Sequence, residues 1–196
     1  MGVTKLSDLD LNKTYTVLDY LSWQFDDMIE LIKGKIYQMS PAPRSQHQWI
    51  SQNLSFEIEQ IKRKKRKCRI FVAPFDVYLQ GISEGESTVV QPDICIICDR
   101  NKIVDRGCSG APDLIIEILS PATLTKDVNI KYHLYEENGV LEYWIVDTKE
   151  RQIITHYLDP ATKKYIETGN YSADSQIKIG IWEGEFLNWS DVFDEM

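Results

Sequence analysis

The sequence predicts a mixed α/β (α+β) fold: a central mixed β-sheet flanked by helices, with additional β-hairpins. Three observations predict it. Aliphatic runs at 89–97, 111–121 and 140–147 read as strands buried on both faces. Residues 45–67 carry Trp49, Ile50, Leu54, Ile58 and Ile61 at three- and four-residue steps, the stripe of a core-facing helix. Strand-like pairs flank tight turns at Lys33-Gly34 and Asp159-Pro160. A length of 196 residues suits one domain, 1–196, with a sizeable core.

In chain order, Thr14 to Leu21 reads as a short helix, with Thr16 as N-cap and Asp19 closing a capping box. Residues 28–39 form the first hairpin, and Ser40-Pro41-Ala42-Pro43 breaks its second strand. The long helix follows. Residues 69–79 are strand-like with a break at Pro74. A polar, acidic loop spans 81–87. The runs 89–97 and 111–121 are separated by a polar connection at 100–110. A helix opening at Thr125 or Asp127 stops at Asn138-Gly139. Strand 140–147, a hairpin over 152–167 and short strands around Ile177-Lys178-Ile179 complete the chain.

The net charge of −8 argues against a protein that coats nucleic acid by bulk attraction. Lys62 to Arg69 concentrates cations locally; it is either a solvated helix end favoured by the helix dipole or a phosphate-contacting patch. No apolar run approaches the ~20 residues of a membrane helix, and the first residues lack a signal-peptide pattern, so a cytoplasmic protein is expected. Cys95 and Cys98 are three apart in a predicted strand and point to opposite faces, which is no metal grip. With Cys68 and Cys108 they read as small buried thiols.

Two acids stand inside the aliphatic runs. Asp93 follows Gln91-Pro92, and Glu117 is flanked by Leu114-Ile115-Ile116 and Ile118-Leu119. A buried carboxylate requires an offset for its desolvation, and a cation is the usual one. If the two strands are adjacent, Asp93 and Glu117 converge, and the Ile118 carbonyl supplies a third oxygen. Oxygen ligation suits Mg²⁺ or Mn²⁺ rather than zinc. Such a metal activates water and stabilises charge on a phosphate, and a nearby lysine would assist.

Pro92-Asp93 followed by Glu117-Ile118-Leu119 resembles the PD-(D/E)XK nuclease superfamily, and more closely its Uma-type restriction endonuclease family. The resemblance takes in 30–41, His47, Gln91-Pro92-Asp93, 111–121 and 139–147. It implies a restriction-endonuclease-like fold and a metal-dependent endonuclease acting on DNA. Leu119 stands where the superfamily's lysine is expected. The resemblance implies a lysine from the following helix instead: Lys131, or alternatively Lys126. It also brings Glu30 and His47 into consideration. Glu30 either completes the metal site or faces solvent on an alternating strand. His47 lies near the implied cleft or on a helix surface. Asp113 suits a strand-edge role, Tyr143 and Trp144 the core, and His133 and His156 have no evident arrangement.

Two other classes compete. The Leu119 departure and the acidic charge fit a catalytically inactive module that kept the fold for binding. A metal-dependent hydrolase of another phosphoester is the second, since fold does not settle substrate. A two-fold homodimer would let two sites cut both strands of a duplex, with the region after Asp147 as a candidate interface.

Overall fold

The computed structural model describes residues 3–25, 27–39, 44–65, 68–119 and 126–193, with residues 64, 65 and 126–128 at backbone level only. Helix α1 (Val17–Ser22) begins at Thr16. The Thr16 hydroxyl accepts the Asp19 N–H while the Asp19 carboxylate accepts the Thr16 N–H, which is the expected capping box. Strands β1 (Ile29–Ile32) and β2 (Lys35–Gln38) form the first hairpin. Its turn residues Lys33 and Gly34 both have positive φ, 48° and 78°, as a tight hairpin turn requires. Helix α2 (Ser45–Lys65) buries Ile50, Leu54, Ile58 and Ile61. Strands β3 (Arg69–Val72) and β4 (Val77–Tyr78) lie on either side of the Pro74 break.

Strands β5 (Val89–Val90) and β6 (Ile94–Ile97) come next. Residues 100–110 hold a short 3₁₀ turn and a small hairpin, β7 (Ile103–Val104) with β8 (Gly107–Ser109), where the sequence suggested only a connection. Strand β9 (Leu114–Leu119) leads to α3 (Lys126–Asn138), which stops at Gly139 with φ 79°. The remaining elements are β10 (Glu142–Asp147), β11 (Gln152–Leu158), β12 (Tyr165–Tyr171), β13 (Gln176–Lys178), β14 (Phe186–Asn188) and α4 (Trp189–Phe193). No described helix is long and apolar enough to cross a membrane.

The central sheet has the order β12-β11-β10-β9-β6-β3. Only β9 and β10 pair parallel, bridged by the α3 crossover; the other neighbours are antiparallel, so the sheet is mixed. Side-chain alternation divides its two faces. Ile94, Ile96, Leu114, Ile116, Ile118 and Trp144 pack against the α2 stripe. Cys95, Ile97, Ile115, Leu119, Tyr143 and Ile145 face the other way, onto Leu134 and Tyr135 of α3 and onto Val77 and Val90. The last two belong to a second sheet, ordered β2-β1-β5-β4-β8-β7.

The run 89–97, read from the sequence as one strand, is thus two strands in two sheets. Its chain crosses between them at Gln91-Pro92-Asp93. Pro92 has no N–H for a ladder, and the Gln91 N–H is bonded to the Glu30 side chain instead (2.9 Å).

The cysteines also need a correction. Cys95 and Cys108 are buried free thiols as expected, but Cys68 and Cys98 form a disulfide. The β3–β6 register pairs Arg69 with Ile97, so the next step outward brings Cys68 opposite Cys98. That juxtaposition belongs to the strand pairing and is invisible in sequence spacing.

Candidate active site

The antiparallel register of β6 and β9 pairs Ile94 with Ile116. One step further, Asp93 stands opposite Glu117, on the face that carries Cys95, Ile115 and α3. The ladder ends here, and a side chain continues it: Asp93 Oδ2 accepts the Ile118 N–H at 2.7 Å. Asp93 Oδ1 lies 3.3 Å from His47 Nε2, near the start of α2. The two carboxylates and the Ile118 backbone therefore meet at one end of the central sheet.

Helix α3 supplies the counter-charge. Lys131 Nζ is 2.9 Å from Glu117 Oε1 and 2.9 Å from Glu30 Oε1, bridging β9 and the first hairpin. The side chain of Lys126 lies outside the described residues. Glu30 is buried on β1, so its solvent-facing reading does not hold. The strand is covered on both sides, which overrides the alternation of Ile29-Glu30-Leu31. Asp113 sits ahead of β9 and accepts the Cys98 N–H, a strand-edge role. Tyr143 and Trp144 are core; His156 is buried among Tyr132, Tyr143 and Tyr165, away from the acids' hydrogen bonds.

Two residues at the site have no role assigned from the sequence. Tyr135 donates its hydroxyl to Glu117 Oε1 at 2.6 Å. It lies four residues after Lys131, one turn along the same helix face, and that spacing was the available signal. Gln91 ties the site to the second sheet: its amide Nε2 donates to Asp76 Oδ1 at 2.7 Å. Asp76 also accepts the hydroxyls of Tyr20 and Tyr78.

Electrostatics follow from this packing. Burial pushes the Glu117 carboxyl up to about 7; the Lys131 ammonium opposes this, and the Asp93 and Glu30 charges add to it. Burial alone would lower Lys131, but the Glu117 and Glu30 carboxylates outweigh it and hold the ammonium above its usual range. The shared proton accordingly belongs to the lysine. Burial opposes protonation of His47, yet its hydrogen bond to Asp93 and the Asp93 and Glu117 charges raise it. Side-chain exposure runs from 7% at Glu30 to 20% at Asp93, so Asp93 marks the more open end of the cluster.

The donor set fits a hard divalent cation. Among the described residues no group of three or more His, Cys, Asp and Glu side chains is placed to hold a metal ion. Magnesium needs none, since it keeps waters and takes one or two carboxylates. Glu117 concentrates its described hydrogen bonds on Oε1, and Asp93 gives only Oδ2 to the backbone. A buried carboxylate such as Glu117, pushed up by burial and by neighbouring carboxylates, is a site that a cation would relieve.

The family model for Uma2, described as "Putative restriction endonuclease", matches residues 17–180. Among solved structures, the chain resembles a protein described as "a putative nuclease belonging to DUF820" from Anabaena variabilis. That likeness has a TM-score of 0.70 at 23% identity, covering 91% of this chain and 97% of the other. It establishes a shared fold, in accord with the mixed sheet and flanking helices expected from the sequence. No curated protein matches the chain.

Proposed function

The chain belongs to the Uma2 family, and from that premise we propose that it is a metal-dependent endonuclease hydrolysing phosphodiester bonds of DNA. The observation that carries this reading is the cross-strand pair Asp93 and Glu117 with the Lys131 ammonium bonded to Glu117. Asp93, Glu117 and the Ile118 carbonyl would hold the cation. When bound, Mg²⁺ or Mn²⁺ lowers the pKa of a water and neutralises phosphate charge. The chain's own groups do the rest. Lys131 keeps its proton and fixes Glu117 by a 2.9 Å hydrogen bond; Glu30 fixes Lys131 from the far side. Among the described residues two of the three Nζ N–H donors are engaged by these acids, and the third would be offered to a phosphate oxygen. His47 holds Asp93 from the α2 side.

The position of Lys131 beside Glu117 supports a helix lysine in place of the one expected at Leu119, and so weighs against the inactive module that this departure and the acidic charge suggested. On this reading the substrate is DNA, the protein is cytoplasmic, and a two-fold dimer would present two sites to the two strands of a duplex. The test is nicking of supercoiled plasmid with Mg²⁺ or Mn²⁺, against Glu117→Ala and an EDTA control. Nicked circles are expected only from the parent with metal. Equal nicking by Glu117→Ala would overturn the assignment.

A further inference from the structure

Glu117 accepts two side-chain hydrogen bonds from described residues, and both fall on the same oxygen. Tyr135 Oη donates to Oε1 at 2.6 Å and Lys131 Nζ to Oε1 at 2.9 Å. The two donors differ in what they can enforce. Lys131 is a point charge whose three N–H donors have no fixed plane, and it is shared with Glu30 Oε1 at the same 2.9 Å, so its attraction holds Glu117 in place without selecting one carboxylate oxygen. Tyr135 is fully buried, and its ring is held edge-on to Tyr143 with centroids 5.1 Å apart. A rigid ring aims its hydroxyl at one point.

The hydroxyl is also costly to keep. A buried phenol O–H without a partner carries an uncompensated desolvation cost, and phenylalanine would fill the same space without it. Neighbouring tyrosines show the alternatives. Tyr165 gives its hydroxyl to the Val140 carbonyl, a purely structural bond. The Tyr143 hydroxyl is buried with no hydrogen-bond partner among the described residues. Of these three, Tyr135 alone spends its hydroxyl on the site.

Resting on the nuclease reading above, we propose that Tyr135 is a positioning residue. Its hydroxyl pins Glu117 Oε1 and so reserves Oε2 for the divalent cation. Partners of this kind set metal affinity by fixing the ligand's orientation.

The experiment is Mn²⁺ titration calorimetry on the full chain, comparing the parent, Tyr135→Phe, Tyr143→Phe and Glu117→Gln, with near-UV circular dichroism to verify folding. Tyr135→Phe is expected to weaken Mn²⁺ binding about tenfold or more. Tyr143→Phe, which removes an unpartnered hydroxyl from the same cluster, is expected to bind as the parent does. Glu117→Gln should bind nothing. Parent-like affinity in Tyr135→Phe overturns the inference and leaves the nuclease reading intact, as does equal weakening in both tyrosine variants. Unfolding of Tyr135→Phe would assign its hydroxyl to stability and overturn it likewise. Absence of Mn²⁺ binding by the parent overturns the inference together with the metal site beneath it.

Discussion

Lys131 decides the charge balance of the cluster. It contacts two carboxylates directly, Glu30 and Glu117, and Glu117 also feels the charge of Asp93. Deleting one member of a buried ion group leaves uncompensated charge, at a cost of about 3 kcal/mol or more. Lys131→Met should therefore lose about 3 kcal/mol in urea denaturation and lower plasmid nicking by about 10²–10³-fold. A stable but inactive variant would mean that the acids already share a proton without the lysine. Asp93, Glu117 and Lys131 were legible because acids in aliphatic runs and a helix lysine in a known order are sequence features. Tyr135 was not, because a tyrosine on a helix face reads equally well as core. Glu30 stayed ambiguous for a related reason: alternation shows a strand's two faces but not whether a second sheet covers the polar one.

Helix α3 is placed by more than its apolar side. Glu136 accepts Lys164 Nζ and the Tyr165 N–H, both at 2.8 Å, tying α3 to β12. Burial alone would raise the Glu136 carboxyl, but these donors outweigh it and hold it below the usual carboxylate value. A depressed folded-state pKa means that ionised Glu136 stabilises the fold above the unfolded value, about 4.3, and that this contribution fades as pH falls through the folded value. Glu136→Gln should thus be less stable than the parent at pH 7, with the gap closing by about pH 3. A gap constant from pH 7 to 3 in thermal melts would assign the loss to packing. Most helices and strands could be read from periodicity and stop signals, including the capping box at Thr16 and the Gly139 stop. The split at Gln91-Pro92-Asp93 could not, since its apolar run continues through residues whose hydrogen bonds leave the ladder. The Cys68–Cys98 bridge likewise depends on which strands pair, a long-range outcome that local spacing does not encode.

Across the full chain, the acidic balance limits how DNA can be held. The net charge is −8, and several exposed cations are already matched: Lys33 with Glu137, Arg63 with Glu59, Lys149 with Glu150. Lys62 at the start of the basic helix end is also paired with Glu59, while the side chains of residues 64–67 lie outside the described residues. These described cations are therefore engaged by acids, and the proposed DNA contact is expected to rest on a few phosphates near the site. Counterion release makes that measurable, because the logarithm of affinity falls with the logarithm of salt at about −0.9 per neutralised phosphate. For Glu117→Gln on a short duplex in EDTA, fluorescence anisotropy should give a shallow slope of about −2 to −3, equivalent to two or three phosphates. A slope steeper than about −6 would require an extended cationic surface and move the footprint away from this end of the central sheet. A shallow slope places the burden of substrate capture on the site itself, where a cation held by Asp93 and Glu117 would neutralise the phosphate that the rest of this acidic surface repels.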